Sequence, residues 1–561
     1  MKKNVYGIFI TEWNLLKFIL LVFIGRKYCV IGVYSYLQNH EGYLLKIIDF
    51  LHKKKLIEKK SDRDDQFPYK NSGDLRRLTD VFSECEEWME EQFQMSKYVG
   101  EYSQVCKHII CSRTYALYQK NYDYHYLSSD LIFEPINRLD GLFHSYRFNE
   151  KIKINYFENL YKLITNSFLL ILSLIHCFIW ILTRINFFGK KIEINLAVDY
   201  NGGNYEIFFN FLNPEKEKTL IVVRDKMTYE TCVKDFKNYN FTFDDKGFFN
   251  LYQGLLIWIN SFKESLNLYL NNFNLPSDYY RQICFMPYKR VKYKAFFNKY
   301  NCRYFLGRDD YNYQHIIRSQ EIRKIKGYSF GLNHGIDSIN KVAFQLRYLD
   351  FDFYYMHGLF QYNNIYKKYW PKKMKVRGIG AMMASFSQHR KIKSGNGKDV
   401  AIIVAPSFHQ NLIFKSILNM AIALPSIRFY ICTKWKHREG GTFGKLYQKL
   451  INSGINNIEE RTDQVYDILP KCKYIFSESS TLLAEAVYFN KISLCFDCDP
   501  SFKNLYYRKF PEMIFKDVKA LKNKIKNTID FPVNYKDSSL HQMIYKGESH
   551  PWELIKKDIK I

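Results

Sequence analysis

The chain shows its architecture most clearly in Tyr474-Ile-Phe-Ser-Glu-Ser-Ser-Thr-Leu-Leu-Ala-Glu-Ala-Val-Tyr-Phe-Asn490, which continues as Lys491-Ile-Ser-Leu-Cys-Phe496. The pattern predicts a strand, a hydroxyl-rich turn, a helix and a second strand, in that order. Alternating strands and helices of this kind build parallel sheets, and ligands of such sheets bind at the carboxyl ends of the strands. The turn from Ser477 to Thr481 lies at such an end, so we expect a ligand there.

Three hydroxyl side chains mark the predicted start of the helix, Ser479, Ser480 and Thr481. A helix start carries unpaired backbone N–H groups and the positive end of the helix dipole, and both attract phosphate. Glu485 follows about one turn later, where it can face a ribose. We therefore predict that these four residues bind a nucleotide-activated donor. Plain N-capping by the hydroxyls and a surface carboxylate at Glu485 are the alternatives.

The same alternation of strands and helices extends on both sides of residues 394–398, Ser-Gly-Asn-Gly-Lys, which have the composition of a linker. Strands are predicted at 192–198, 220–223, 303–306, 328–332, 353–356, 375–377, 400–405 and 429–432. The fold class is therefore α/β, with two strand–helix domains in series. We assign 191–393 to an acceptor-side domain, 394–561 to a nucleotide-donor-binding domain, and 1–190 to an additional N-terminal helical, membrane-associated region.

The N-terminal region contains one long apolar segment, residues 163–182, between Lys162 and Arg184. Twenty apolar residues are long enough to cross a bilayer, but Asn166 and His176 interrupt the segment. A helix lying in the membrane interface, with Trp180 and basic residues at its edges, is equally plausible. A buried core helix is the third interpretation.

The charge and the cysteine usage indicate the kind of partner and the redox state of the thiols. A formal charge of +27 favours a polyanion or an anionic membrane face as a partner, although AT-rich codons also enrich Lys, Asn, Ile, Tyr and Phe. No dense Lys/Arg run, zinc-finger spacing or aromatic RNA-binding signature is present, so we expect no nucleic acid partner. The 12 scattered cysteines are typical of reduced thiols.

The first residues do not resemble a signal peptide, because Glu12 and Lys17 interrupt the apolar run. We therefore predict a cytoplasmic protein, peripheral or monotopic on the inner face of the cell membrane.

Six short motifs follow one another in a fixed order between about residues 190 and 530. They are Asn333-His-Gly335, Asp352-Phe-Tyr-Tyr-Met-His-Gly358, Val376-Arg-Gly-Ile-Gly380, Lys434-Trp-Lys-His437, Asp467-Ile-Leu-Pro470 and Ser479-Ser-Thr-Leu-Leu-Ala-Glu-Ala486. This order resembles the GT-B glycosyltransferases, and among them the bacterial surface-polysaccharide transferases related to CDP-glycerol glycerophosphotransferases and capsular sialyltransferases. The resemblance implies an α/β fold in which two Rossmann-like domains face a cleft.

The resemblance implies a transferase that builds a capsule, a lipopolysaccharide or a teichoic-acid-like polymer. Its donor is a nucleotide-activated sugar or glycerol, and its acceptor is a saccharide or a lipid-linked saccharide. Two features depart from the family. The Lys-His-Pro pattern appears here as Lys436-His437-Arg438, and the long N-terminal region has no counterpart.

Further donor contacts are predicted in two loops of the second domain. Lys436 and His437 can neutralise phosphate charge, although a solvated basic loop has the same composition. Ser407 and His409 lie in the first strand–helix loop, which faces the cleft between the two domains.

His334 is the best candidate for the base that deprotonates the acceptor hydroxyl, because an imidazole titrates near neutrality. Asp310 is the second candidate, and Asp309 and the Asp244-Asp245 pair are rivals. A capsular sialyltransferase has a catalytic acid followed by Gly, whereas this chain has Asp245-Lys-Gly247. A structural or phosphate-binding role is the alternative for His334.

No D-x-D motif stands clearly at a strand end, since Asp497-Cys-Asp499 lies past the expected donor site. Cys495 and Cys498 form a lone C-x-x-C without a second pair. We therefore predict no metal and no cofactor, and an inverting displacement that needs one base and a stabilised leaving group. A UDP-sugar 2-epimerase-like enzyme and a non-enzymatic membrane- or polyanion-binding protein are the alternatives.

Overall fold

The structure, a computed structural model, describes most of residues 158–559 and parts of residues 1–157. The described residues are 4–10, 22, 28–35, 41–59, 89–90, 93–95, 98, 100–112, 114, 132–133, 158–200, 214–224, 226–273, 275, 277–308, 311–337, 340, 342–343, 346–405, 410–433, 438, 441–462, 464–498, 505–533, 535, 539–545, 547 and 549–559. They belong to two compact units. Unit 1 comprises 1–67, 84–179 and 258–288, and unit 2 comprises 68–83, 180–257 and 289–561.

Strands and helices alternate along most of the described chain. The strands are β1 (Asn4–Ile10), β2 (Tyr28–Ser35), β3 (Ile57–Lys59), β4 (Ile132–Phe133), β5 (Ile192–Tyr200), β6 (Thr219–Val223), β7 (Asn240–Phe243), β8 (Tyr300–Gly307), β9 (Tyr328–Leu332), β10 (Phe353–Met356), β11 (Lys375–Gly378), β12 (Asp399–Ile403), β13 (Phe429–Cys432), β14 (Ile458–Arg461), β15 (Cys472–Ser477), β16 (Ile492–Phe496) and β17 (Ile514–Phe515). The helices are α1 (Glu41–Lys53), α2 (Glu158–Leu182), α3 (Lys226–Asp235), α4 (Leu251–Asn272), α5 (Ser277–Cys284), α6 (Met286–Lys299), α7 (Gln314–Lys324), α8 (Phe386–Ser394), α9 (Gln410–Ala423), α10 (Gly441–Ile451), α11 (Val465–Ile468), α12 (Thr481–Tyr488), α13 (Val518–Thr528) and α14 (Pro551–Ile559).

The strands form three sheets in which all neighbouring strands pair in parallel. Unit 1 contains a four-stranded sheet of order β3-β2-β1-β4. Unit 2 contains a seven-stranded sheet of order β11-β10-β9-β8-β5-β6-β7 and a six-stranded sheet of order β14-β13-β12-β15-β16-β17. The predicted α/β class with two parallel-sheet domains is therefore confirmed. The domain boundaries at 190 and 393 stay predictions, and the sheet of unit 1 is an addition to the expected helical N-terminal region.

The two sheets of unit 2 share one apolar core. Tyr354 of β10 and Phe351 just before it belong to the same buried cluster as Ile475 of β15 and Leu483 of α12. The last helix, α14, follows the six-stranded sheet in sequence but buries Trp552 in the core of the seven-stranded sheet, where the indole N–H donates to the Met382 carbonyl at 2.9 Å. The two sheets are thus held together by apolar burial and by a returning helix.

The predicted linker at 394–398 lies close against the chain that precedes β15. A Cβ atom on Gly397 would come within 1.8 Å of the Lys471 carbonyl oxygen, and one on Gly395 within 2.4 Å of the Pro470 carbonyl oxygen. The Lys491 ammonium donates to the Gly395 carbonyl at 2.8 Å. The glycines of this segment therefore permit close backbone packing rather than looseness.

Helix α2 contains the apolar segment that the sequence singled out. By length and composition, Lys162–Leu182 is the one helical segment among the described residues that is long and apolar enough to cross a membrane. About two fifths of its most apolar window, 39%, is buried against the protein. A helix of this kind is weak evidence for a membrane span.

Helix α8 brings a histidine into the core of unit 2. The helix begins with a capping box between Ser385 and Gln388. One turn later, His389 is buried with its Nε2 atom 2.7 Å from the Tyr488 hydroxyl. Burial, and then the nearby charges of Lys393 and His550, lower the pKa of His389 from 6.5 to about 4.

We expect unit 2 to lose stability as the pH falls from about 6.5 to 4. In that window the unfolded chain binds a proton at His389 that the folded chain does not bind, so acid favours unfolding until both forms are protonated. The loss attributable to this residue is up to about 3 kcal/mol. Urea unfolding midpoints measured across this pH range should show the slope, and His389→Asn should flatten it. An unchanged slope in the variant would contradict the assignment.

Candidate functional site

The turn after β9 presents the first group of polar residues at the carboxyl edge of the seven-stranded sheet. Asn333 is buried, donates to the Tyr354 hydroxyl at 3.1 Å and accepts from the Gly335 N–H at 3.1 Å. His334 between them is half-buried, and its ring stacks on Tyr311 with centroids 4.3 Å apart. The asparagine therefore fixes the turn, and Tyr311 orients the imidazole.

The turn after β15 presents the second group. Ser480 caps α12 by accepting a hydrogen bond from the Leu482 N–H at 3.3 Å, and its carbonyl accepts from the Tyr507 hydroxyl. Ser479 is buried, and its Oγ atom has no hydrogen-bond partner. A buried hydroxyl without a partner is uncommon and calls for an explanation, such as a ligand that supplies the missing bond.

These two turns touch. The Ile336 N–H donates to the Thr481 Oγ1 atom at 3.0 Å. A Cβ atom on Gly335 would lie 2.5 Å from the same oxygen, so only glycine permits the approach. The structure therefore brings together His334 with Ser479, Ser480 and Thr481, at the carboxyl edges of both sheets.

Glu485 lies on α12 one turn after Thr481 and is almost fully buried, at 1% exposure. Its Oε2 atom accepts from the Tyr466 hydroxyl at 2.8 Å, and its Oε1 atom lies 3.4 Å from His357 Nε2. His357, which follows β10, is equally buried. A ribose hydroxyl would have to reach a carboxylate that is almost fully buried and already accepts from Tyr466, and the predicted ribose contact stays a prediction.

Tyr466 and Arg308 are functional candidates that the sequence analysis missed. Burial raises the pKa of the Tyr466 phenol well above its usual range, the charge and hydrogen bond of Glu485 raise it further, and the charge of Arg308 opposes them. The phenol therefore stays protonated and acts as a donor to Glu485. Arg308 directly follows β8, and its buried Nε atom has no hydrogen-bond partner. A cation directly after a strand was the signal available in the sequence.

Several predicted site residues lie outside the described residues. They are the base candidate Asp310 with its neighbour Asp309, and the donor contacts Lys436, His437, Ser407 and His409. Their predicted roles stay predictions. Arg438 beside them is described, and it is held by protein groups: it donates to the Arg461 carbonyl at 3.1 Å and lies 3.7 Å from Glu460.

The rival bases Asp244 and Asp245 follow β7, which is an edge strand of the seven-stranded sheet. Four strand spacings separate β7 from β9, or about 19 Å. Asp245 is paired with Arg184 at 3.2 Å, and Asp244 lies 3.8 Å from Lys292. These two carboxylates are therefore not part of the group around His334.

The D-x-D sequence is also engaged by the protein. Asp497 is buried and accepts two hydrogen bonds from Arg508, at 2.6 and 2.7 Å. Within the described part of the chain, no group of three or more His, Cys, Asp or Glu residues is arranged to hold a metal ion. The sulfur of Cys495 is used as a donor to the Glu478 carbonyl at 3.1 Å.

Comparison with known proteins gives structural likeness only. No protein-family model matches the chain, and no curated protein sequence matches it. Solved structures that resemble it include the UDP-GlcNAc 2-epimerase of Neisseria meningitidis bound to UDP-GlcNAc, with 13% identity, a TM-score of 0.40 and coverage of 66% of this chain and 100% of that one.

Two further solved structures resemble the chain at a similar level. HepE from Anabaena in complex with UDP and glucose is 10% identical, with a TM-score of 0.37 and coverage of 66% of this chain and 100% of that one. A glycosyltransferase from Rickettsia africae is 12% identical, with a TM-score of 0.35 and coverage of 66% and 94%. Likeness at this level carries no argument about activity.

We expect Tyr466→Phe to destabilise unit 2 by about 1–3 kcal/mol, because the buried Glu485 carboxylate loses its donor. Tyr506→Phe is the matched control, since Tyr506 is buried in the same core and its hydroxyl has no hydrogen-bond partner. Removing that hydroxyl should be neutral or stabilising. Urea unfolding midpoints of both variants test the pair, and equal losses would contradict the Glu485 contact.

Proposed function

We propose that the chain is a glycosyltransferase, or a glycerophosphotransferase, that uses a nucleotide-activated donor in the biosynthesis of a surface polysaccharide such as a capsule, a lipopolysaccharide or a teichoic-acid-like polymer. One observation carries the proposal: the turn after β9 with His334 contacts the hydroxyl-rich start of α12 through the hydrogen bond from Ile336 to Thr481. The carboxyl edges of two parallel sheets therefore meet where such sheets bind ligands.

In this proposal the donor phosphates bind at the start of α12. The Ser479 hydroxyl gains the partner that it lacks, and the helix dipole stabilises the negative charge. Arg308, whose charge acts on the Tyr466 phenol, is proposed to add positive charge to the donor site. Lys436, His437, Ser407 and His409 are proposed to complete the donor contacts.

The acceptor hydroxyl, on a saccharide or a lipid-linked saccharide, is proposed to lie at His334. The half-buried imidazole, held against Tyr311, takes the acceptor proton as the oxygen attacks the donor carbon, or phosphorus for a glycerol donor. The bond to the nucleotide breaks, and the start of α12 stabilises the leaving phosphate. An inverting displacement without a metal ion follows, and Asp310 is the second candidate for the base.

Thermal-shift measurements with CMP, CDP, UDP and GDP test the donor site. At least one nucleotide should stabilise the wild type, and Ser479→Ala should weaken its affinity about tenfold by removing one charge-assisted hydrogen bond. Ser493→Ala is the control, because Ser493 is also buried with an unpartnered hydroxyl but lies within β16. If no nucleotide stabilises the wild type, or if both variants lose affinity equally, the donor site is wrong.

A second experiment tests the base. His334→Asn should keep the nucleotide-induced thermal shift but slow the release of nucleotide from the preferred donor by about 10²–10⁴-fold. His541→Asn, whose ring packs on Tyr535 instead, is the control. Unchanged turnover in His334→Asn would exclude this histidine. Conversion of a UDP-sugar to its 2-epimer without an acceptor would instead support the epimerase-like alternative.

A further inference from the structure

Two long helical segments of unit 1 pack side by side in opposite directions. Phe178 of α2 and Trp258 of α4 have ring centroids 5.1 Å apart. Towards the other end of the pair, Ser167 Oγ lies 2.6 Å from the Tyr269 hydroxyl. The Asn166 side chain donates to the carbonyls of residues 273 and 275, both at 2.8 Å. Residues 158–179 and 258–273 therefore form an antiparallel helix pair joined by polar contacts.

The antiparallel helix pair buries polar residues and exposes apolar ones, which is the reverse of a helix pair in water. The buried faces include Thr165, Asn166 and Ser173 of α2, and Ser261, Ser265 and Asn272 of α4. The exposed face of α2 is apolar apart from His176, and the exposed face of α4 is apolar with a border of polar residues. We define the apolar face by Leu163, Ile171 and Ile175 of α2 with Ile259, Leu266 and Leu270 of α4, whose exposures range from 40% to 61%.

This arrangement is unfavourable in water and expected in lipid. A surface helix in water buries its apolar stripe and exposes its polar residues. Helices that contact lipid instead pack through small and polar residues, which bond across the interface, and turn their aliphatic residues outward. Both helices follow the second pattern, and α4 does so although its 22 residues are not apolar enough to cross a membrane.

We propose that the apolar face contacts the acyl chains of a bilayer and that the antiparallel helix pair lies in the membrane interface. One-sided insertion is favoured over a span because exposed polar residues border the apolar residues of α4, namely Asn260, Lys263 and Asn267. Glu264 is held on the protein side by the Tyr102 hydroxyl. The formal charge of +27 complements an anionic membrane surface. This inference does not rest on the proposed function.

Vesicle flotation of the full chain tests the inference, with phosphatidylcholine vesicles and with vesicles that contain equal amounts of phosphatidylcholine and phosphatidylglycerol. The wild type should float with the mixed vesicles. The double variant Ile171→Ser/Leu266→Ser should bind the mixed vesicles at least about tenfold more weakly, because two aliphatic side chains no longer enter the acyl region. Its thermal unfolding and nucleotide binding should match the wild type, since both side chains are exposed.

The control carries the same chemical change elsewhere. Leu412→Ser/Ile422→Ser replaces two exposed aliphatic residues of α9, in unit 2, and should float like the wild type. Equal flotation of the Ile171→Ser/Leu266→Ser variant and the wild type would overturn the inference and leave only charge attraction. A wild-type dimer in lipid-free solution that this variant separates into monomers would also overturn it, because a second copy would then cover the apolar face.

Discussion

A hydrogen bond joins the carboxyl edges of the two sheets in unit 2, from the Ile336 N–H to the Thr481 hydroxyl at 3.0 Å. A bond of this kind contributes only about 1 kcal/mol, so it does not hold the sheets together. The shared apolar core does that. What the bond fixes is position: it sets His334 beside the start of α12, and it requires glycine at 335 because a Cβ atom would lie 2.5 Å from the hydroxyl oxygen.

The second constraint is electrostatic. Glu485 is buried in the same helix, and a buried carboxylate needs donors around it. Tyr466 supplies one, because burial keeps its phenol protonated, and His357 from the seven-stranded sheet lies 3.4 Å away. Three residues from separate parts of the chain therefore form one polar group inside an apolar core. Such a group favours this arrangement of α12 against β10, since moving the two elements apart would take His357 away from the carboxylate.

Much of the fold could be predicted from the sequence, because central strands of parallel sheets are continuous apolar runs. Strands β9, β10 and β13 were predicted at their observed bounds. Strands β7 and β14 were missed. Both are edge strands, and Asn-Phe-Thr-Phe and Ile-Glu-Glu-Arg lack the apolar run that burial on two faces demands.

The candidate site was predictable in part, because parallel sheets place residues that directly follow strands at one edge. That rule located His334 and the start of α12. It does not determine which side chains pair inside the core, so the contact of Tyr466 with Glu485 and the nearness of Arg308 required coordinates. The exposure of the apolar side of α4 was missed for a related reason. Helical periodicity shows that a helix has an apolar side but not whether that side faces the protein.

The returning helix α14 has a mechanical consequence. The chain passes between the two sheets of unit 2 twice, once at residues 394–398 and again before α14. At the second crossing the Tyr545 N–H donates to the His357 carbonyl at 2.9 Å. Because two covalent crossings tie the sheets together, they cannot separate as freely as two domains joined by a single linker would. Trp552, buried in the core of the seven-stranded sheet, anchors the second crossing there.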